Sequence, residues 1–378
     1  MDRFTLTVPC LLGTESITAY QIRRLGYETS AVEDGRVSFL GDKEAVALAN
    51  INIRSGERVL LKMGEFDALS FTELFDNVKS LPWEALLPKD AAFPVKGHSL
   101  KSKLFSVPDC QSIVKKAIVS RLGEKYGIEH FSEDGALYRV QFSIMKDRAT
   151  IYIDTTGAPL YKRGYRAEGV LAPLRETLAF AMVDLSRWRG DRFFIDPFCG
   201  SGTIAIEAAL YAKNIAPGLK RRFVSEAWDG MHEFYQDARE EALDARQLSN
   251  ETKIYASDID REAVSLARAN AKKAGVDDAI KFFVSDVKDV KPFKEKGIVM
   301  CNPPYGERLM DTKSVEKLYG MMGRKFAEFH EATKMILTSF ENFEKFYGRE
   351  ADTKRKLYNG MLKCNLYTYF PEKVYAEK

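Results

Sequence analysis

Apolar residues alternate in RFTLTVP, where Phe4, Leu6 and Val8 share one side. They then fall at helical spacing through Ile17, Tyr20, Ile22 and Leu25 of TESITAYQIRRLG, with Gly26 as a stop. Two further strands are predicted at GRVSFLG and RVLLKMGEF, with a helix between them in KEAVALANINIR, so residues 1–65 form a small α+β unit. Residues 66–155 continue in that style, with a helix at FTELFDNVKSL, a strand around AAFPVKGHSLKS and a helix at DCQSIVKKAIVSRLGEKYG. A hairpin follows whose arms, ALYRVQFSIM and RATIYIDTT, turn at Lys146-Asp147. The basic, weakly periodic LYKRGYRAEGVLAPLRE then marks a linker at 156–168.

Over residues 169–378 the pattern changes to strands and helices in alternation. RFFID precedes TIAIEAALYAKN, KIYASD precedes REAVSLARANAKKAG, and IKFFVSD leads into a short polar link. GIVMCN precedes VEKLYGMMGRKFAEFHE, and KMILTSF precedes NFEKFYG. Such alternation predicts a doubly wound, mostly parallel α/β sheet, which the pair KRKLYNG and LKCNLYTYF closes with an antiparallel hairpin.

Ligands of such sheets bind beyond the carboxyl ends of the strands, so the residues ending each strand are the candidates. The first strand ends in DPFCGSGT, where Gly200 and Gly202 let a ligand approach the backbone and a helix N-terminus offers free N–H groups. The loop lacks the Lys of a P-loop and the third glycine of the dinucleotide fingerprint. A tight strand-to-helix turn is the plainer alternative. The second strand ends in ASDID, placing Asp258 where a carboxylate accepts ribose hydroxyls, and the third in VSDV, placing Asp286 within reach of an adenine amine. Helix N-capping is the competing reading for Asp258, Asp260 and Asp286, and for Asp260 it is the better one. The fourth strand ends in CNPPYGERL. A Pro-Pro pair fixes two φ angles and removes two donors, so acceptors around it are rigidly aimed. Asn302 and the Pro303 carbonyl can then accept the two hydrogens of an exocyclic amine while Tyr305 stacks on the base.

Composition narrows the setting. The chain has 378 residues, 45% hydrophobic and 29% charged, enough to bury two or three domain cores. Its net charge of +3 permits a nucleic-acid partner without arguing for one. Five separated cysteines and four histidines predict neither a disulfide framework nor a metal site. No targeting segment or membrane span is predicted, so the expected location is cytoplasmic.

Taken together, DPFCGSGT, ASDID and NPPYGERL resemble the class I S-adenosylmethionine-dependent methyltransferases that act on exocyclic amines. With YKRGYR, APLRETLA, NIAPGLKRRF and the α+β N-terminal half, the whole chain is similar to the bacterial THUMP-domain RNA methyltransferases related to the 23S rRNA guanine-N2 methyltransferase. The resemblance implies a Rossmann-like methyltransferase domain over 169–378, preceded by a ferredoxin-like unit over 1–65 and a THUMP-like RNA-binding unit over 66–155. Longer members carry a second methyltransferase domain, and that second activity is expected to be absent here. The resemblance further implies that Asp196, Pro197, Gly200, Gly202 and Thr203 line the methionine end of S-adenosylmethionine. Asp258 would hold the ribose and Asp286 the adenine, with Ile259 among the cofactor-binding positions. Asn302, Pro303, Pro304 and Tyr305 would form the catalytic corner, Asn302 also touching the cofactor. Arg175 and Glu176, on a helix opened by Pro173, would cover the methionine end, although Glu176 equally suits a helix's first turn.

For the RNA partner the candidates are Lys96, Lys101, Lys103, Lys115 and Lys116 in the second small unit, with Lys162, Arg163 and Arg166 of YKRGYR. A solvated helix face has the same composition. The expected reaction is methylation of the 2-amino group of a guanosine in 23S rRNA, without a metal. The alternatives are a tRNA guanine, a DNA adenine or protein glutamine, or an RNA-binding assembly factor without catalysis. The insert PGLKRRFVSEAWDGMHEFYQDAREEALDARQLSN, between the first two strands of the methyltransferase domain, receives no role from the sequence.

Overall fold

The computed structural model describes residues 3–166, 174–305 and 312–371. Pro173, the linker positions 167 and 168, and Gly306 to Leu309 of NPPYGERL lie outside the described residues. One mixed seven-stranded sheet contains β1 (Phe4–Pro9), β2 (Thr29–Glu33), β3 (Arg36–Gly41), β4 (Leu60–Asp67), β5 (Val95–Leu100), β6 (Arg139–Met145) and β7 (Arg148–Asp154). A second contains β8 (Phe193–Asp196), β9 (Ile254–Asp258), β10 (Ile280–Val284), β11 (Gly297–Cys301), β12 (Ala332–Thr338), β13 (Thr353–Asn359) and β14 (Leu362–Tyr369). The helices are α1 (Glu15–Arg24), α2 (Lys43–Asn52), α3 (Phe71–Ser80), α4 (Val107–Tyr126), α5 (Glu176–Leu185), α6 (Thr203–Ala212), α7 (His232–Asp244), α8 (Arg261–Ala274), α9 (Thr312–Ala327) and α10 (Phe343–Tyr347).

Two compact units divide the chain. The first gathers Met1–Cys10, Thr18–Leu160 and Arg221–Glu241, and the second Leu11–Ile17, Tyr161–Lys220 and Ala242–Lys378. In the first, the strand order is β2-β3-β1-β4-β7-β6-β5, antiparallel except for the parallel β5–β6 pair. The alternation seen in the sequence puts Leu6, Val8, Val37 and Phe39 on a fully buried face. Asp42 and Ser70 cap α2 and α3 by accepting the amides of Ala45 and Glu73. The sequence separates this half into units at 1–65 and 66–155, and the structure joins their residues in one sheet through the β4–β7 ladder. Strand β2 has no counterpart in the sequence reading, because TSAVE is largely exposed and carries no apolar alternation.

The unassigned insert contributes Arg221–Glu241 to this first unit. Trp228 stacks on Tyr138 at 4.5 Å and its indole N–H donates to the Leu137 carbonyl. Tyr235 is fully buried, its hydroxyl 2.9 Å from the Asn50 amide nitrogen and 2.7 Å from Ser225 Oγ. Arg221 donates to the carbonyls of Leu160 and Ala158. The signal in the sequence was four aromatics, Phe223, Trp228, Phe234 and Tyr235, in a largely polar stretch.

In the second unit the order is β10-β9-β8-β11-β12-β14-β13. Strands β8 to β12 are parallel, and β14 runs antiparallel to both β12 and β13, as the sequence predicts. Both faces are covered: one core contains Leu178, Ile204, Val264, Met300 and Leu337, the other Ile195, Val299, Tyr319 and Phe343. Strands buried on both sides explain why GIVMC and KMILT read as unbroken apolar runs.

Candidate cofactor and catalytic site

Because β8 to β11 are parallel, their carboxyl ends meet at one edge, which brings Asp196, Asp258, Asp286 and Asn302 to the same side of the sheet. The two glycines after β8 do different work. Gly202, at φ +85°, would place a Cβ 3.0 Å from that of Ala267, so its absence lets α6 pack on α8. Gly200, at φ +49°, would place its Cβ in open space, which leaves the backbone bare on that side. The loop is pinned from below. Gly200 N–H donates to Asp258 Oδ2 at 3.0 Å, Cys199 N–H to the Ser257 carbonyl at 2.8 Å, and Asn270 to the Ser201 carbonyl at 2.9 Å.

Asp196 is only 1% exposed, and its carboxyl accepts the Phe198 amide at 3.2 Å. Burial raises it well above the ordinary carboxylate range. It therefore shapes the loop from inside and does not itself line the surface open to a cofactor. Pro197 is likewise buried. Asp258 is half-buried and binds two amides, those of Gly200 and Asp260, which leaves carboxylate lone pairs for a ligand. Asp260 caps α8 through the Glu262 amide. Asp286 caps the turn Val287–Asp289 and pairs with Lys288 at 3.1 Å, so the capping reading describes it too. Ile259, 69% exposed beside Asp258, offers an apolar surface to a flat ring.

At the corner after β11 the Pro304 carbonyl accepts from Tyr319, whose hydroxyl also lies 2.9 Å from Thr338 Oγ1. Asn302 Oδ1 is buried and meets no hydrogen-bond donor among the described residues. A buried acceptor without a donor costs about 1–3 kcal/mol, which a ligand N–H restores. Tyr305 departs from the stacking expectation. Its ring is half-buried against the core, and its hydroxyl faces Asn302, Asn359 and Cys364. Burial, with the Cys364 thiol next, pushes its phenol up to about 12, so it stays protonated. Cys301 is fully buried and its thiol is raised well above the usual range by desolvation, which makes it a packing residue.

The YKRGYR cations correct the sequence reading. Arg163 is 5% exposed and both ends of its fork face the Glu207 carboxylate at 3.3 Å, with Tyr165 donating to the same group, so it presents no surface to RNA. Arg166 donates to Glu176, the Leu174 carbonyl, Ser201 Oγ and Thr203 Oγ1, all within 3.3 Å. It thus brings a positive charge to the glycine loop and the start of α6, where no side chain caps the helix. Thr203 is buried there. Arg175 lies over the Tyr161 ring at 4.9 Å, and Glu176 is buried with its carboxyl raised by desolvation. Lys162 is exposed.

In the first unit Lys96, Lys101, Lys103 and Lys116 are exposed, whereas Lys115 is held by Glu133 at 2.6 Å and by the Phe93 carbonyl. Sequence reading missed Phe105, 80% exposed two residues after Lys103. A separate cavity of about 600 Å³ lies at the amino end of β9, lined by Arg192, Lys213, Asn250 and Lys253, on the side of the sheet away from the strand-end motifs. Among the described residues no cluster of three or more His, Cys, Asp or Glu suits a metal ion, and no helix is long and apolar enough to cross a membrane.

The residues present fit S-adenosylmethionine: a bare glycine face and the Arg166 cation suit an amino-acid end, Asp258 a ribose, Ile259 a flat base, and Asn302 an amine. Comparisons with known proteins bear on the family and the cofactor class. Residues 163–368 match the model of the RMKL-like methyltransferase domain, residues 5–60 the RlmL ferredoxin-like domain and residues 68–154 the THUMP domain. The chain is 45% identical to YpsC of Bacillus subtilis (strain 168), provisionally designated an RNA methyltransferase, over 98% of this chain and 97% of that one. It is 33% identical to the ribosomal RNA large subunit methyltransferase K/L of Psychromonas ingrahamii, covering 96% of this chain but 49% of the relative, about half its length. Among solved structures, SMU.472, provisionally described as a methyltransferase and complexed with SAH, superposes with a TM-score of 0.94 at 41% identity, covering 99% and 100% of the two chains. A Listeria monocytogenes str. 4b F2365 protein described as a predicted N6-adenine-specific DNA methylase does so at 0.93 and 47%, covering 98% and 97%. The chain belongs to the RMKL-like family of S-adenosylmethionine-dependent methyltransferases, with an RlmL ferredoxin-like domain and a THUMP domain ahead of its methyltransferase domain.

Proposed function

We propose that this protein methylates the exocyclic 2-amino group of a guanosine in RNA, with large-subunit rRNA as its substrate. The observation that carries the reading is the buried Asn302 Oδ1, which has no donor among the described residues and sits on a proline-fixed corner. Exocyclic amines are poor nucleophiles because the nitrogen lone pair is delocalised into the ring. An acceptor aimed at one N–H favours the pyramidal, nucleophilic nitrogen and acts mainly in the transition state. Bound S-adenosylmethionine supplies an electrophilic methyl group. The chain's own residues would position the partners: Gly200 and Arg166 at the amino-acid end, Asp258 at the ribose, and Asn302 at the amine. The amine's lone pair forms the N–C bond, the C–S pair returns to sulfur, and the surplus proton leaves to water. The large-subunit rRNA relatives and the THUMP domain support RNA as the substrate.

Asn302→Ala is expected to lower methyl transfer by about 10²–10³-fold, the range for losing one transition-state hydrogen-bonding group. Calorimetry should find S-adenosylmethionine binding largely intact. Deleting the gene and quantifying methylated nucleosides by mass spectrometry tests the substrate. Loss of one N2-methylguanosine from 23S rRNA supports the reading, loss from tRNA moves it to the tRNA guanine alternative, and loss from DNA alone overturns it.

A further inference from the structure

The last two strands do more than close the sheet. Strand β12 makes its final pair with β14 at Thr338 and Asn365, yet the β13–β14 ladder continues through Leu357 and Cys364, Tyr358 and Lys363, and Asn359 and Leu362. At about 3.3 Å per residue, the hairpin overhangs the carboxyl edge of the parallel strands by roughly 10 Å. That edge carries Asp258 and Asn302. The overhang is moored to the corner, since the Tyr305 hydroxyl faces Asn359 and Cys364.

At the tip stands Met361, 99% exposed, after Gly360 at φ +65°. Turn positions ordinarily carry Gly, Asn, Asp or Ser, so a long apolar side chain stands out at this tip. One exposed apolar residue implies no partner by itself, and it is the flanking faces that point to one. Leu357 and Cys364 point into the core, whereas Lys356, Tyr358 and Lys363 share the opposite face, and both lysines are exposed. Lys354 lies on that face too, but is held by Glu344. An apolar tip adjoining a cationic, aromatic face complements a polyanion whose bases stack.

Resting on the RNA-methylating reading above, we propose that Met361 is a wedge that enters the base stack of folded RNA where the target nucleotide leaves it, with Lys356 and Lys363 on the adjoining phosphates. A stacked base must come out to reach Asn302, and an apolar side chain filling the gap offsets the lost stacking. Methionine suits the task because its unbranched, polarizable side chain adapts to irregular apolar surfaces.

The test uses the full chain and protein-free large-subunit rRNA from a strain lacking the gene, with labelled S-adenosylmethionine as methyl source. Met361→Ala is expected to lower kcat roughly tenfold on folded RNA while RNA affinity changes little, and Met361→Leu to restore most of it. The pair Lys356→Ala and Lys363→Ala is expected instead to weaken RNA affinity and spare kcat. Calorimetric binding of S-adenosylmethionine should be unchanged in all of them. An active wild type with Met361→Ala equally active overturns the wedge alone, as does a loss confined to RNA affinity or one that Leu fails to rescue. A wild type that methylates no RNA overturns the RNA reading and the wedge together.

Discussion

The two seven-stranded sheets of this molecule show how strand direction decides what a sheet can do. In the second unit five adjacent strands run the same way, so the chemistry at their ends converges on one edge. In the first unit neighbouring strands mostly alternate, so strand ends scatter to opposite edges. What it offers is surface, including the exposed lysines of β5 and the loop after it. The cations make the same contrast at residue level: Lys96, Lys101 and Lys103 face water, while Arg163 is enclosed with Glu207.

Removing the enclosed cation should break that contrast hardest. Arg163→Met leaves the Glu207 carboxylate buried without its countercharge and should cost about 3–5 kcal/mol, read as a drop in the urea midpoint. The same substitution at Lys101 should leave the midpoint within about 0.5 kcal/mol of wild type. A melt in which both behave alike would erase the distinction. At the glycine loop, Arg166→Met should raise the KM for S-adenosylmethionine about tenfold, the scale of one charge-assisted contact, with RNA affinity unmoved. Weaker RNA binding with an unchanged cofactor KM would return Arg166 to the RNA-facing group.

Charge reversal of Lys96, Lys101 and Lys103 should do the opposite, weakening RNA binding and flattening its salt dependence by about 0.7 per lysine lost from a single-stranded contact. Cofactor binding should stay as it was. The smallest effect concerns acid stability. Hydrogen bonds from Lys62 and then Arg148 hold the Glu65 carboxyl down at about 2. Because its folded-state value lies below its unfolded one, its contribution is present above pH 4.5 and is lost as pH falls towards 2. Glu65→Gln should therefore narrow the stability gap between pH 7 and pH 3 by about 0.5 kcal/mol or less, given solvent screening.

Much of the candidate site was legible because its parts are short and local. A glycine loop, an acid after each of two strands and a proline-locked corner are each written within a few consecutive residues. Division of labour inside those motifs was not legible. Gly200 and Gly202 look alike in DPFCGSGT, and only the position of Ala267 on α8 makes one a packing contact and the other an open face. Nor does YKRGYR reveal that Glu207 and the Ser201-Thr203 hydroxyls claim its arginines, since those partners lie more than thirty residues away.

By itself, then, the sequence determined the periodicities that specify strands and helices, the switch from α+β to alternating order, and the chemistry ending each parallel strand. These depend on side-chain spacing over a handful of residues, where hydrophobic burial and backbone stereochemistry act locally. Tertiary structure alone decided that the N-terminal half shares one sheet, that Arg221–Glu241 folds into the first unit, and which cations meet water. It alone carried Met361 past the sheet edge, through a register set by pairing with β12. Such outcomes rest on contacts between distant segments, whose entropy of closure is repaid only once the whole core assembles.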